Sequence, residues 1–184
     1  MTHIIDNALN DDDFVKLKNT ILGNQFNWFY TDSVSFLNED DPRYENGSGK
    51  NLTNYYFTHL FYVHNDSNSL VEESQRYRTF ISDWFYLVQP ILNVINPKVL
   101  IRVKGNLYPS TPKLIHHESH VDLAYENRGA IFYVNTNDGL TVLDDGTEVE
   151  SIENRLLLFN PSLQHNSTTC TNAKCRVNIN FNYM

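Results

Sequence analysis

Residues 175–183 read Cys-Arg-Val-Asn-Ile-Asn-Phe-Asn-Tyr and alternate between apolar and polar side chains. Successive side chains of a β-strand point to opposite faces, so this period of two predicts a strand with one apolar and one polar face. Val177, Ile179 and Phe181 would pack in a core, while Arg176 and the intervening asparagines would share the other face. The function of that polar face depends on which other side chains lie beside it.

Further strands are predicted upstream, and the first of them, residues 99–108, alternates in the same way. Short strands that recur at regular intervals with turn residues between them predict a barrel or a double-sheet jelly roll. The two faces of the first strand are Ile101, Val103 and Leu107 on the apolar side and Arg102, Lys104, Asn106 and Tyr108 on the polar side. The other candidates are residues 116–123, 130–136, 140–143, 147–149, 155–159 and 165–169.

The first half of the chain is expected to be partly helical. A short helix is predicted after residues 11–13, because the apolar side chains that follow recur at helical spacing. Residues 52–63, rich in Tyr and Phe, are predicted to be extended. A longer helix is predicted from near Ser69 through Phe80 and Trp84 to Val88, after which Pro90 either kinks it or opens a second helix. The apolar face of the short helix comprises Phe14, Leu17, Ile21 and Leu22.

The length of 184 residues favours one domain with one core over two independent domains. Residues 1–98 would supply supporting helices and a sheet extension, and residues 99–184 would form the β core. The predicted fold class is therefore mainly β with supporting helices.

Net charge and hydropathy exclude several function classes. The 22 acidic residues outnumber the 14 basic ones, and the formal charge of −8 disfavours binding to a nucleic-acid backbone, which needs a basic surface. No window reaches the roughly 18 apolar residues of a membrane-spanning helix. The first residues lack the pattern of a signal peptide, so a cytoplasmic location is expected, with Cys170 and Cys175 reduced.

The densest group of metal-ligating side chains lies at residues 116–122, His-His-Glu-Ser-His-Val-Asp. His120 and Asp122 are two residues apart and would project from the same face of a strand. His165, 45 residues after His120, is the only histidine further downstream. Two histidines and one carboxylate leave open coordination positions, as mononuclear Fe(II) oxygenases require. By spacing alone, His116 and Glu118 form an equally acceptable pair.

Arg176 is a candidate for anion binding, because it lies at the start of the polar face of the last predicted strand. A guanidinium group binds a carboxylate through two parallel hydrogen bonds and stays charged. Beside a metal, it would suit a dicarboxylate that chelates the metal at its other end. Tyr133 and Tyr108 are placed to donate their hydroxyls to the same carboxylates.

The order of these motifs resembles the prolyl 4-hydroxylase-like branch of the Fe(II)/2-oxoglutarate-dependent oxygenases, especially its short bacterial and phage members. The resemblance runs from about Val99 to Tyr183 and implies a double-stranded β-helix of eight strands, a cupin-like jelly roll. The motifs that carry it are Tyr108-Pro109, His120-Val121-Asp122, residues 130–139, residues 154–159, His165 and residues 176–181.

The resemblance also implies the roles of the site residues. His120, Asp122 and His165 would bind Fe(II), which leaves the rival pair, His116 and Glu118, outside the metal site. The cosubstrates would be 2-oxoglutarate and O2. The distal carboxylate of 2-oxoglutarate would pair with the arginine of the last strand, with Tyr133 beside it and Tyr108 as a further contact.

The chain departs from the family pattern in two places. Collagen-type prolyl hydroxylases usually carry lysine at the position of Arg176. The large aromatic residue often found late in the last strand is absent, and Asn180 and Asn182 occupy that region.

The resemblance implies that the chain hydroxylates a prolyl residue of a peptide or protein, in a phage-infected host cytoplasm if the gene is viral. Residues 40–50 and 109–114 are turn-rich and are predicted to form a lid over the substrate. Three alternatives stay open. One is an oxygenase of the same class acting on a free amino acid, another small metabolite or a nucleobase, although the acidic charge disfavours the last of these. The second is a cupin-like metalloenzyme that does not use 2-oxoglutarate, and the third is a non-catalytic jelly-roll module that binds carbohydrate or a partner protein.

Overall fold

The computed structural model describes residues 2–34, 54–64, 79–123 and 125–184. These residues form two antiparallel sheets, two α-helices and a 3₁₀ turn at Phe85–Leu87. The helices are α1 (Asp11–Ile21) and α2 (Gln89–Ile95). The strands are β1 (His3–Ile5), β2 (Phe29–Thr31), β3 (Tyr56–His64), β4 (Thr79–Ile81), β5 (Leu100–Pro109), β6 (Arg128–Tyr133), β7 (Leu140–Leu143), β8 (Glu148–Glu150), β9 (Arg155–Phe159), β10 (His165–Ser167) and β11 (Cys175–Tyr183).

The major sheet contains eight of the described strands in the order β1-β9-β6-β11-β5-β3-β2, with β4 paired to β3. The alternating stretch at residues 175–183 is β11, and it lies between β5 and β6. Both neighbours are antiparallel to it. Because every strand inside a sheet has two partners, the backbone polar groups of β11 are satisfied on both sides. The first half of the chain adds β1 to β4 to this same sheet.

The minor sheet has the order β10-β7-β8. The prediction of a continuous strand at residues 116–123 is wrong. The structure has two isolated bridges there instead, His116 to Thr168 and His120 to His165. Between these bridges one segment advances four residues and the other advances three. One extra residue therefore interrupts the ladder, as in a β-bulge.

Helix α1 begins as predicted and packs its apolar face inward. Its N-cap is Asn10, whose side-chain oxygen accepts a hydrogen bond from the backbone N–H of Asp13 at 3.0 Å. Three aspartates in the first turn further favour this end of the helix dipole. The predicted apolar face is correct at Phe14, Leu17 and Ile21, which are buried. Leu22 is the exposed C-cap, because the helix has ended there.

The long helix predicted from Ser69 to Val88 is wrong where the structure describes the chain. Thr79–Ile81 is an edge strand that pairs with β3, and β-branched and aromatic side chains favour that conformation. A 3₁₀ turn follows, and Pro90 occupies the first turn of a separate helix, α2. Residues 65–78 lie outside the described part of the chain. The extended segment predicted at residues 52–63 contains β3, which begins at Tyr56.

The major sheet has a core on each face. The helices cover one face, where α1 and α2 pack against apolar side chains of β5 and β11, among them Val103, Val177, Ile179 and Phe181. A smaller apolar cluster joins the opposite face to the minor sheet. It consists of Ile131, Tyr133, Leu143, Val149, Leu157 and Phe159. The polar sides of β5 and β11 therefore face the space between the sheets.

Candidate active site

A cavity lies between the two sheets, and the polar faces of β5 and β11 form one of its walls. These faces are thus not ordinary solvent-exposed surface. The side chains that the two sheets contribute to the cavity include Lys104 and Asn106 from β5, Asn178 and Asn180 from β11, and Thr141 and Ser167 from β7 and β10.

Two of the predicted metal ligands face each other across a backbone bridge. The backbone N–H of His120 donates to the carbonyl of His165 at 2.9 Å, and the N–H of His165 donates back at 3.0 Å. This reciprocal pairing holds the two imidazole rings with their centroids 4.7 Å apart. Residues that are 45 positions apart in sequence therefore reach one site.

Asp122 follows His120 by two residues in the same segment, and its backbone N–H donates to the carbonyl of Pro161. Arg102 donates a hydrogen bond to Oδ1 of its carboxylate at 3.1 Å, and Asn182 donates to Oδ2 at 2.9 Å. Burial raises the pKa of Asp122, but Arg102 and Asn182 more than offset this effect, so the pKa lies below its ordinary value. The carboxylate is therefore ionised at neutral pH and held in one orientation.

The three side chains form a group that could hold a metal ion. One ligand atom from each of His120, Asp122 and His165 lies within 4.8 Å of the others. The Nδ1 atoms of both histidines lie near backbone carbonyls, 3.3 Å from Glu118 and 3.0 Å from Leu163. The ring proton therefore belongs on Nδ1, which leaves the Nε2 lone pairs free for a metal.

His165 Nε2 shows that this group is incomplete without a ligand. The atom is buried and has no hydrogen-bond partner among the described residues. A buried polar atom without a partner costs free energy, which coordination to a metal would offset. Partial burial and the neighbouring His165 lower the pKa of His120 to about 4, so the His120 ring is in the neutral form that binds metal.

The rival pair at the start of the same segment is not part of this group. Within the described residues, the only group of metal-ligating side chains close enough to share an ion is His120, Asp122 and His165. His116 is exposed. His117 packs against the ring of Tyr108 with centroids 5.0 Å apart, and its Nδ1 lies 2.8 Å from the hydroxyl of Ser167.

Arg176 is fully buried beside Thr141, a residue that lines the cavity. Its guanidinium donates to the Ser151 hydroxyl at 2.8 Å, the Thr141 hydroxyl at 2.9 Å and the Thr168 carbonyl at 3.2 Å. Among the described residues no carboxylate pairs with it, and burial lowers its pKa. An arginine that is buried with only neutral partners is an attractive site for an anion.

The two predicted tyrosines lie on either side of this guanidinium. Their ring centroids are 5.6 Å (Tyr108) and 5.9 Å (Tyr133) from the central carbon of Arg176. The Tyr133 hydroxyl donates to Thr141 Oγ1 at 2.8 Å, the same atom that accepts from Arg176. Since Thr141 lines the cavity and already accepts two hydrogen bonds there, its own proton is free to donate to a ligand.

Four polar residues that carry the site were not assigned to it from the sequence: Arg102, Asn182, Thr141 and Ser151. Arg102 and Asn182 are register partners on β5 and β11, and both contact Asp122. The alternation of each strand places both on a polar face. The register between the strands, which the sequence does not reveal, places them opposite each other.

Gly139 is a position where any side chain would displace the arginine. A Cβ atom there would lie 2.5 Å from Cδ of Arg176 and 2.7 Å from the carbonyl oxygen of Thr169. We expect Gly139→Ala to destabilise the protein by about 1–3 kcal/mol through overpacking, and therefore to lower the melting temperature by several degrees. Differential scanning fluorimetry measures the melting temperature.

Gly146→Ala is the control for this prediction. A Cβ at Gly146 meets no atom within 4 Å, although the residue has a φ of +82°. Its substitution should cost only the backbone strain of a positive φ, about 1 kcal/mol. A Gly139→Ala protein that melts no lower than the Gly146→Ala protein would show that the close approach to Arg176 is not a constraint.

Comparisons with known proteins bear on the fold. No family model matches the sequence, and no curated protein matches it either. Solved structures do match. The viral collagen prolyl hydroxylase of Paramecium Bursaria Chlorella virus-1, as its 2OG complex, is 10% identical with a TM-score of 0.56, covering 98% of this chain and 94% of its own.

Two further structures are similar over nearly the whole chain. An oxidoreductase of the 2OG-Fe(II) oxygenase family from Burkholderia pseudomallei is 9% identical, with a TM-score of 0.63. The match covers 99% of this chain and 84% of the Burkholderia chain. A Trichoplax adhaerens prolyl hydroxylase, in complex with a hypoxia inducible factor peptide fragment, is 14% identical, with a TM-score of 0.57. The match covers 100% of this chain and 83% of the Trichoplax chain.

The chain has the fold of the 2OG-Fe(II) oxygenases. The predicted fold class, mainly β with a jelly-roll core, is thus confirmed, and so is the resemblance at the level of fold. No helix in the described part of the chain is long and apolar enough to cross a membrane.

Proposed function

We propose that this protein is an Fe(II)- and 2-oxoglutarate-dependent dioxygenase that hydroxylates a C–H bond, with a prolyl residue of a peptide or protein as its substrate. One observation carries the proposal: among the described residues, the buried Nε2 atom of His165 has no hydrogen-bond partner, and His165 offers a ligand atom within 4.8 Å of ligand atoms of His120 and Asp122. That donor set is the one used by mononuclear Fe(II) oxygenases.

The residues present fit the iron and its cosubstrate. His120, Asp122 and His165 would hold the metal, and Arg102 and Asn182 would keep the carboxylate oriented toward it. When bound, Fe(II) with 2-oxoglutarate and O2 supplies the oxidation, in which the cosubstrate leaves as succinate and CO2 and one oxygen atom enters the substrate. The protein contributes binding, orientation and the exclusion of water.

Arg176 would bind the distal carboxylate of 2-oxoglutarate. The anion would offset the free-energy cost of the buried guanidinium charge. Thr141 would donate its free hydroxyl proton to the same carboxylate, with Tyr133 fixing the acceptor side of that hydroxyl. Tyr108 would form a further wall of the cosubstrate site.

Peptide binding has support from the similar structures. The Trichoplax protein was solved with a peptide fragment, and the viral and Trichoplax proteins are both prolyl hydroxylases. Tyr56 lines the cavity here and could pack on a prolyl ring.

The sequence predicts two lid segments over the substrate. The first, residues 40–50, lies outside the described residues. In residues 109–114, Thr111 is buried, and its backbone N–H donates to the carbonyl of Cys170 at 3.0 Å.

We also propose that residues 1–184 act as one catalytic domain in the cytoplasm, the host cytoplasm if the gene is viral. Side chains of α1 and of β11 share one apolar core, which supports a single domain. With a net charge of −8, neither nucleic acid nor membrane is expected as a partner.

Anaerobic addition of Fe(II) and 2-oxoglutarate tests the proposal. We expect the weak visible charge-transfer band of an iron–2-oxoglutarate complex, followed by succinate formation when O2 is admitted. A peptide library screened by mass spectrometry for a gain of one oxygen atom would then identify the substrate. A protein that binds Fe(II) but shows no band would instead be a cupin-like metalloenzyme, and one that binds no Fe(II) would be a binding module.

A further inference from the structure

A second polar group lines the cavity beside the predicted metal ligands. Lys104 of β5 and Asn180 of β11 are register partners, and Asn106 and Asn178 form the next pair along the same strands. All four side chains line the cavity that also contains the metal ligands. The proposed metal and cosubstrate sites use none of them.

Lys104 is a half-buried cation without an acidic partner. No carboxylate among the described residues lies within salt-bridge distance of its ammonium group, which sits 5.6 Å from the ring centroid of Tyr56. Burial and the neighbouring Arg102 lower the pKa of Lys104 to about 8, against a smaller opposite effect of Asp122. Burying an unpaired ammonium costs free energy, and a bound anion would offset that cost.

The adjacent asparagines present unsatisfied acceptors. Asn106 is only 1% exposed, and its Nδ2 donates to Asn178 Oδ1 at 3.0 Å, while its own Oδ1 has no partner among the described residues. Oδ1 of Asn180 is likewise buried without a partner. Buried carbonyl oxygens are normally hydrogen-bonded, so a ligand with N–H or O–H groups would satisfy these two acceptors.

This group is separate from the proposed anchor of 2-oxoglutarate. Arg176 pairs with Tyr108 in the β11–β5 register, four residues along β5 from Lys104. That is a separation of roughly 13 Å between the backbone positions. Lys104 lines the cavity and Arg176 is hydrogen-bonded to Thr141 in its wall, so the two cations lie at different levels along the strands. 2-Oxoglutarate bound at Arg176 would leave Lys104 without an anion.

We propose that Lys104, Asn106 and Asn180 form a substrate subsite for a carboxylate with an adjacent N–H group, the chemistry of an amino-acid unit with a free carboxylate. Lys104 binds the carboxylate. The ammonium group of a free amino acid donates to both amide oxygens, and the single N–H of a C-terminal peptide residue donates to one of them. The proposal rests on the proposed function and narrows its substrate. The unit can be a free amino acid or the C-terminal residue of a peptide, which share this chemistry.

Binding of matched probes to the anaerobic Fe(II)–2-oxoglutarate protein tests the subsite. The probes are the N-acetyl derivatives of alanine, lysine and glutamate, each as free acid and as primary amide, measured by isothermal titration calorimetry. We expect at least one acid to bind about tenfold more tightly than its amide. If no acid binds more tightly than its amide, the proposal is wrong.

Substitutions assign the preference to Lys104. Lys104→Met should abolish the preference for acid over amide, and Lys104→Arg should retain it, because the charge is kept. Lys98→Met removes an exposed lysine elsewhere on the surface and serves as the control. If Lys104→Met instead weakens 2-oxoglutarate binding and leaves the preference unchanged, Lys104 serves the cosubstrate and the subsite is refuted.

Two further comparisons complete the design. The corresponding free amino acids and tripeptides that end in the same residue identify the source of the carboxylate, since the tighter-binding series is the one the subsite accepts. The acid and amide probes are also titrated into the metal-free protein. If Fe(II) and 2-oxoglutarate give no charge-transfer band but the metal-free protein still binds an acid more tightly than its amide, the proposed function is refuted and the subsite is kept.

Discussion

Asp122→Ala is expected to abolish the charge-transfer band and to lower 2-oxoglutarate turnover by about a thousandfold or more. Asp122 supplies the only negative charge of the predicted metal group. Without it, the cationic Arg102, which lies 3.1 Å from the carboxylate in the intact protein, would be left unpaired beside the site. A divalent cation would then meet two neutral imidazoles and an uncompensated positive charge. Succinate release and Fe(II) titration measure the two effects.

The control for this substitution is Asp145→Ala, which removes a fully exposed aspartate in a turn. Its turnover should equal that of the unchanged protein. Circular dichroism shows whether Asp122→Ala is folded, because the loss of a hydrogen-bonded, ionised carboxylate also costs stability. Succinate formation within tenfold of the unchanged level in a folded Asp122→Ala protein would exclude Asp122 as a metal ligand.

Arg176→Met is expected to weaken 2-oxoglutarate binding by about a hundredfold or more while Fe(II) binding is retained. Methionine fills a similar volume but removes the positive charge of the guanidinium. The difference between cosubstrate and metal binding matters, because a general loss of structure would weaken both. Anaerobic titration of 2-oxoglutarate, followed by the charge-transfer band, gives the affinity.

Arg176→Met also removes the hydrogen bonds that Arg176 donates to the hydroxyls of Ser151 and Thr141. A second variant, Arg176→Lys, therefore keeps the charge and should bind 2-oxoglutarate more tightly than Arg176→Met does. Arg128→Met, at an exposed position, controls for the loss of an arginine. An Arg176→Met protein that binds 2-oxoglutarate within threefold of the unchanged protein would remove Arg176 from the cosubstrate site.

Local patterns in the sequence predicted much of the fold. The apolar face of α1, the strand at residues 175–183 and the helix opened by Pro90 depend on side chains close in sequence, and the structure has all three. The helix predicted through Phe80 fails because that residue lies in β4, an edge strand. Its conformation depends on pairing with β3, a partner that local periodicity does not reveal.

The sequence likewise predicted one part of the candidate site and missed another. The sequence nominated His120, Asp122, His165, Arg176 and both tyrosines, because their chemistry and order resemble those of a known family. The sequence did not identify the residues that hydrogen-bond to these side chains and orient them. The contacts of Arg102 and Asn182 with Asp122 depend on the register between β5 and β11.

The sequence by itself determined which side chains share a face, because the alternation along a strand is a local property of the extended backbone. It thereby established that a row of polar residues runs opposite an apolar core face on the strand at residues 175–183. Only the tertiary structure decided that this row lines a cavity and that Lys104 lies opposite Asn180. Strand register and sheet packing join residues far apart in the chain, so no single stretch of sequence specifies them.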